Sequence, residues 1–220
     1  MTKSMARYIE SQVREDMGKK MVFLAGPRQV GKTTLSKRLI DSLDSYLNWD
    51  IPIHREAILR RELPAVDTLV FDEIHKYKGW RNFLKGIFDQ YGNQKRILVT
   101  GSARLGYYRF SGDSLQGRYH SLRMHPLSVA ELGISSTDDM MDLLKLGGFP
   151  EPFFSGSARQ ARRWSREYRN LLLSEEVRAL ENVKELGKME LLYLRLPECL
   201  GSPVSIKGLR GEWEVRYKAG

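Results

Sequence analysis

Residues 21–35, MVFLAGPRQVGKTTL, constrain the fold of this 220-residue chain more than any other stretch. Five apolar residues run without a polar break, so both faces of a strand there must be covered. A glycine-punctuated turn follows at once, and then a segment able to form a helix. The turn fits the pattern G-x-x-x-x-G-K-[ST] through Gly26, Gly31, Lys32 and Thr33. Ordinary residue frequencies give about one chance match per hundred chains of this length. The strand before it and the helix after it make coincidence rarer still.

The chemistry of such a loop is specific. Glycines let the backbone curl so that successive N–H groups point at phosphate oxygens. The helix that follows adds its positive N-terminal end. Lys32 would reach the β- and γ-phosphates, and the Thr33 hydroxyl would bind Mg²⁺.

The next 120 residues repeat the theme. Strands are predicted at 21–25, 46–49, 68–72, 96–100 and 119–124, with helices over 32–43, 53–63 and 80–91. Strands alternating with helix-length segments predict a parallel sheet with crossover helices. In such a sheet the strand ends carry the site. TLVFDEIHK ends its strand in Asp72-Glu73, which puts two carboxylates at the edge occupied by the phosphate loop. Asp72 would hold Mg²⁺ through water, and Glu73 would polarise an attacking water. The plainer alternative is a helix N-terminus with favourable charge. RILVTGSAR ends another strand in Thr100-Gly101-Ser102. Ser102, or else Thr100, could sense the γ-phosphate or orient water; a strand-ending turn is the alternative.

Beyond Pro126 the pattern turns helical, and the Gly-Pro-rich stretch 147–157 interrupts it. Composition bounds the rest. Lys and Arg number 36 against 27 Asp and Glu, a net charge of +9, which favours acidic partners such as nucleotides or nucleic acid. One cysteine, Cys199, allows no internal disulfide and fits a reducing compartment. The charged start lacks a signal peptide's apolar region, and no run is long enough to span a membrane. A cytoplasmic location is the expectation. The four histidines are dispersed, with no zinc-binding spacing.

LAGPRQVGKTTL, LVFDEIHKYKGW, ILVTGSAR, GRYHSLRMHPLS and GGFPEPFF occur in that order between about Arg7 and Leu209. Together they resemble the prokaryotic AAA-type ATPase family, within the AAA+ superfamily, whose members add a winged-helix segment and a C-terminal domain of unknown function. The resemblance implies an α/β P-loop NTPase fold with a five-stranded sheet of order 5-1-4-3-2 and a site for ATP and Mg²⁺. The phosphate loop would comprise Gly26, Pro27, Arg28, Gln29, Val30, Gly31, Lys32, Thr33 and Thr34. The acidic pair would be Asp72-Glu73 and the sensor Ser102. Arg118 becomes a candidate finger or phosphate contact, unless it merely pairs with a local carboxylate, and Arg104 is its rival. Gly148 and Pro150 resemble a Gly-x-Pro turn that brings a lid onto the nucleotide. The implied organisation is an ATPase core over 1–130, a helical lid over 131–190 and a partial winged helix over 191–220. Past Leu209 the chain reads RGEWEVRYKAG where a helix is expected, so a truncated member is the expectation.

The leading reading is Mg²⁺-dependent ATP hydrolysis. No guanine-reading N-K-x-D motif is present, which disfavours a GTPase. The other readings are a nucleotide-gated module with little turnover, and a nucleic-acid-binding ATPase fragment. The last draws on Arg159, Arg162, Arg163, Arg166 and Arg169, which fall within an arc of about 120° on a helix. Ala161, Trp164, Tyr168, Leu171 and Leu172 lie opposite. A solvated basic face over an apolar back is the plain account; contact with nucleic-acid phosphates or an acidic protein is the sharper one.

Overall fold

The computed structural model describes residues 5–102, 105, 115–172, 192, 196–199, 201 and 205. Five strands form one parallel sheet: β1 (Met21–Ala25), β2 (Tyr46–Asn48), β3 (Thr68–Asp72), β4 (Arg96–Gly101) and β5 (Tyr119–Arg123). Their order is β2-β3-β4-β1-β5, which read from the β5 edge is the expected 5-1-4-3-2. The described helices of the first compact unit, Met1–Ser157, are α1 (Glu10–Met17), α2 (Lys32–Arg38), α3 (Pro52–Arg60), α4 (Trp80–Tyr91), α5 (Val129–Leu132), α6 (Thr137–Leu146) and α7 (Pro150–Ser155). The second unit, Ala158–Gly220, contains α8 (Ala158–Leu171). No described helix is long and apolar enough to cross a membrane.

Alternation along the strands divides the core into two layers. Phe23, Phe71, Ile97 and Val99 face Ile58 of α3 and Trp80, Phe83, Leu84 and Ile87 of α4. Val22, Leu24, Val70 and Leu98 face Ile9, Val13 and Met17 around α1, and Leu35 and Leu39 around α2. Every residue of β1 and β3 is buried, as strands covered on both faces require.

Several boundaries differ from expectation. α2 stops at Arg38, and a separate turn of 3₁₀ helix over Leu43–Ser45 is capped by the Ser42 side chain. α3 ends at Arg60 because Arg61 adopts a left-handed conformation, φ 59°; its N–H donates to the Ile58 carbonyl and the Glu62 N–H to the Ala57 carbonyl, which closes the helix. α1 escaped the sequence reading because its charged outer face hides the three buried positions Val13, Asp16 and Met17. The 147–157 stretch contains a short helix, α7, rather than only a loop. Pro150 and Pro152 fall in its first turn, where missing N–H groups cost no hydrogen bond. Arg104, residues 173–191 and nearly all of 191–220, including the winged-helix expectation, lie outside the described residues.

Candidate nucleotide site

Register brings the strand ends together. Ala25 lies beside Gly101, and Asp72 lies between Thr100 on one side and Asn48 on the other. The loop 26–31 therefore leaves the sheet next to the ends of β4 and β3. Its backbone is built to order. A Cβ on Gly26 would stand 2.5 Å from the Met124 carbonyl oxygen, so only glycine fits against the segment after β5. Gly31 sits at φ 101° and starts α2, and Gln29 holds φ 59° without being glycine. Such conformations concentrate at functional sites.

Lys32 is buried, and its ammonium donates to the carbonyls of Gly26 at 2.8 Å and Pro27 at 2.7 Å. The charge is thus centred on the loop rather than extended into solvent. Val30 is fully buried in the layer that holds Leu35 and Met124, Arg28 is half-buried and Thr34 is exposed.

Asp72 is the hub of the acidic pair. Its Oδ1 accepts from the Thr100 hydroxyl at 2.6 Å, and its Oδ2 accepts from the Thr33 hydroxyl at 3.2 Å and from the Tyr46 hydroxyl. Three hydroxyls thus donate to one buried carboxylate and fix its orientation. Burial, followed by the bond to Asp72, raises the Tyr46 phenol well above its usual pKa, so Tyr46 remains a donor. Tyr46 was missed by sequence reading. Its only signal was a place at the start of a strand, and its role depends on β2 pairing with β3.

Glu73 leaves the strand at φ 57°, pinned by its N–H to the Thr100 carbonyl at 2.9 Å. It stands at the start of a 3₁₀ turn, Ile74–Lys76, but its side chain makes no cap bond there. Its Oε2 is buried and accepts no hydrogen bond; Lys76 Nζ lies 3.4 Å away and His75 Nε2 3.7 Å away. Burial pushes the carboxyl above the ordinary range, against the opposing pull of Lys76, Lys32 and Arg28. This is a basic carboxylate with an open lone pair, beside cationic groups.

Of the two hydroxyl candidates on β4, Thr100 contacts the acidic pair, while Ser102 is buried just past the strand and its carbonyl accepts from Leu105 N–H. Arg118 stands elsewhere. Its carbonyl accepts from Met21 N–H at the start of β1, the edge opposite the phosphate loop, and its guanidinium pairs with Asp89 at 2.8 Å. Gly148 is joined to the segment after β5: its carbonyl accepts from Leu127 N–H at 2.7 Å, and a Cβ there would meet the Leu127 oxygen at 2.8 Å. Phe149 packs against the layer that holds Val30 and Met124, and Pro150 opens α7.

Arg7 is a second residue that the sequence reading missed. It is buried and donates to the Val30 carbonyl at 2.7 Å, the His125 carbonyl at 2.6 Å and Glu131 at 2.7 Å. Glu131 also closes the capping box of α5 with Ser128 and accepts from Tyr8 N–H. One guanidinium thereby ties the phosphate loop to the segment after β5 and to α5.

A phosphate loop, an adjacent acid pair and a 5-1-4-3-2 parallel sheet define a nucleotide-binding AAA+ module. The family comparison agrees: residues 18–133 match the AAA domain model, and the chain belongs to that family. Residues 137–219 match a domain of unknown function, DUF8612. Uncharacterized proteins of Mycobacterium tuberculosis and Mycobacterium bovis are each 28% identical over 165 residues, 73% of this chain. The chain spans 36% of the length of those relatives. Among solved structures, a variant of Thermotoga maritima RuvB aligns over 96% of this chain and 82% of its own, at 17% identity and a TM-score of 0.46. The Saccharomyces cerevisiae Hsp104–ADP complex aligns over 95% and 39%, at 14% identity and a TM-score of 0.44.

Proposed function

We propose that the first compact unit binds ATP and hydrolyses it to ADP and phosphate with Mg²⁺. The observation that carries this reading is Glu73: a buried carboxylate, left-handed in backbone, with Oε2 accepting no hydrogen bond, one residue from an Asp tied to the phosphate loop.

The residues present fit a hard cation. Thr33 offers a hydroxyl oxygen and Asp72 a carboxylate within 3.2 Å of it, the donor chemistry that Mg²⁺ takes. Thr33 would bind Mg²⁺ directly and Asp72 through water. Bound there, Mg²⁺ would neutralise charge on the β- and γ-phosphate oxygens. Lys32 would exchange its loop carbonyls for those phosphates. Glu73 would accept a proton from the attacking water as its oxygen bonds to the γ-phosphorus and the bond to the β–γ bridging oxygen breaks. Tyr46 and Thr100 hold Asp72 in place. Ser102 and Thr100 are the candidate sensors. Gly148 and Pro150 would transmit nucleotide state to a helical lid, which we place from residue 131 onward, through the packing of Phe149. Arg118, at the far edge, would act on a nucleotide held by another copy of the chain.

Replacing Glu73 with Gln tests the reading. Phosphate release should fall about 100-fold or more, while a fluorescent ATP analogue binds as before. The alternative of a nucleotide-gated module rests on the Lys76–Glu73 contact, since Lys76 is itself anchored to Asp50 at 2.6 Å and holds Glu73 in an ion pair. Equal and minimal turnover in wild type and variant, with binding retained by both, would establish that alternative.

A further inference from the structure

We propose that one face of α8 binds the phosphate backbone of nucleic acid without reading its bases. The helix ARQARRWSREYRNL carries five arginines and a single acid. Arg163 pairs with that acid, Glu167, at 2.8 Å. Arg159, Arg162, Arg166 and Arg169 have no carboxylate partner among the described residues. At about 100° per residue these four lie within an arc of about 80°, with Arg163 at its margin. Arg159, Arg162 and Arg166 are exposed and Arg169 half-exposed. With Ser165 they line an open groove of about 440 Å³.

The spacing favours phosphates over a peptide. Arg159 to Arg169 spans ten residues, about 15 Å of helix. One strand of a duplex passes about four phosphates in that distance. Four guanidiniums in a line, each able to donate two parallel bonds, match that repeat. A protein partner would need an apolar anchor in the middle of the patch. The stripe offers none, because Trp164 and Tyr168 lie off it and stack on each other at 4.7 Å. The side chains within the 80° arc are arginines alone, and their match to the phosphate repeat directs them to the backbone rather than to base edges.

The test is fluorescence anisotropy of the full chain with a labelled duplex of about 20 base pairs and mixed sequence. Four phosphate contacts give a salt slope of about −3.6, an affinity loss of about 150-fold between about 50 and 200 mM salt. Arg162→Gln and Arg166→Gln should each reduce the slope by about one. The combined variant of all four stripe arginines should abolish binding, with circular dichroism and ATP-analogue affinity unchanged. Arg163→Gln should bind within about two-fold of wild type, being off the stripe. If the combined variant does not fold, the two single-variant slopes decide. Absence of binding by wild type at about 50 mM salt overturns the proposal, as does binding that the stripe substitutions leave unchanged. Polyglutamate that competes as well as DNA also overturns it, in favour of an acidic protein partner.

Discussion

The chemistry proposed for Glu73 comes with a cost in stability. A catalytic carboxylate must ionise, yet burial opposes its charge and raises its pKa above the ordinary 4.5. For an acid with a raised folded pKa, the stabilising contribution is complete below the unfolded value and is lost as pH rises through the folded one. At neutral pH the ionised Glu73 therefore weakens the fold. In metal-free buffer, Glu73→Gln should unfold at a higher temperature than wild type at pH 7, and the gain should vanish below about pH 4.5. A gain that persists at low pH would mean that packing, not charge, is responsible. Asp72 and Glu73 were legible in the sequence because a buried run ended in them. Tyr46 and Arg7 were not, because a phenol at a strand start and an arginine in a charged leader acquire roles only from what folds against them. The sequence puts Ser102 ahead of Thr100 as the sensor; the register of β3 on β4 brings the Thr100 hydroxyl onto Asp72.

Among the elements, the loop between β1 and α2 is braced from outside itself. Arg7 and Glu131 are nearly sealed, with side-chain exposures of 7% and 3%. Burial pushes the Glu131 carboxyl up, but the Arg7 bond and the N–H groups of Tyr8 and Ser128 outweigh it and hold the pKa below 4.5. A depressed acid contributes stability above its unfolded pKa and loses it as pH falls through the folded value. Arg7→Leu should cost about 3–5 kcal/mol at pH 7, because it strands a buried carboxylate. It should also flatten the fall of stability below about pH 4.5, and weaken nucleotide binding by loosening the Val30 carbonyl. Urea unfolding at several pH values and nucleotide titration check both. An unchanged pH profile would show that Glu131 is not held by Arg7. α7 belongs to this scale as well: prolines that suggest a loop in the sequence also suit a first helical turn, and the contact of Gly148 with Leu127 selects the second use.

At the scale of the whole molecule, the sheet is a partition between two apolar layers, and Phe71 lies at the centre of one, edge-on to Phe83 at 5.5 Å. Phe71→Ala should destabilise the first unit by about 3–5 kcal/mol, measured by denaturant unfolding. A loss under about 1 kcal/mol would show that this layer repacks freely. By itself the sequence determined where the five strands lie, that they run parallel, and that a phosphate loop and two carboxylates end at the same edge. These follow from local properties: apolar runs, glycine placement and strand–helix alternation. The 5-1-4-3-2 order came from the family resemblance, and the structure bears it out. Only the tertiary structure decided which hydroxyls surround Asp72, that Glu73 keeps a buried oxygen without a hydrogen bond, that Arg118 stands at the far edge with Asp89, and that Arg7 clamps the loop. Each of these depends on contacts between residues far apart in the chain, 28 positions for Thr100 and Asp72 and 124 for Arg7 and Glu131. Residue type fixes what a side chain can do; packing fixes what stands within its reach.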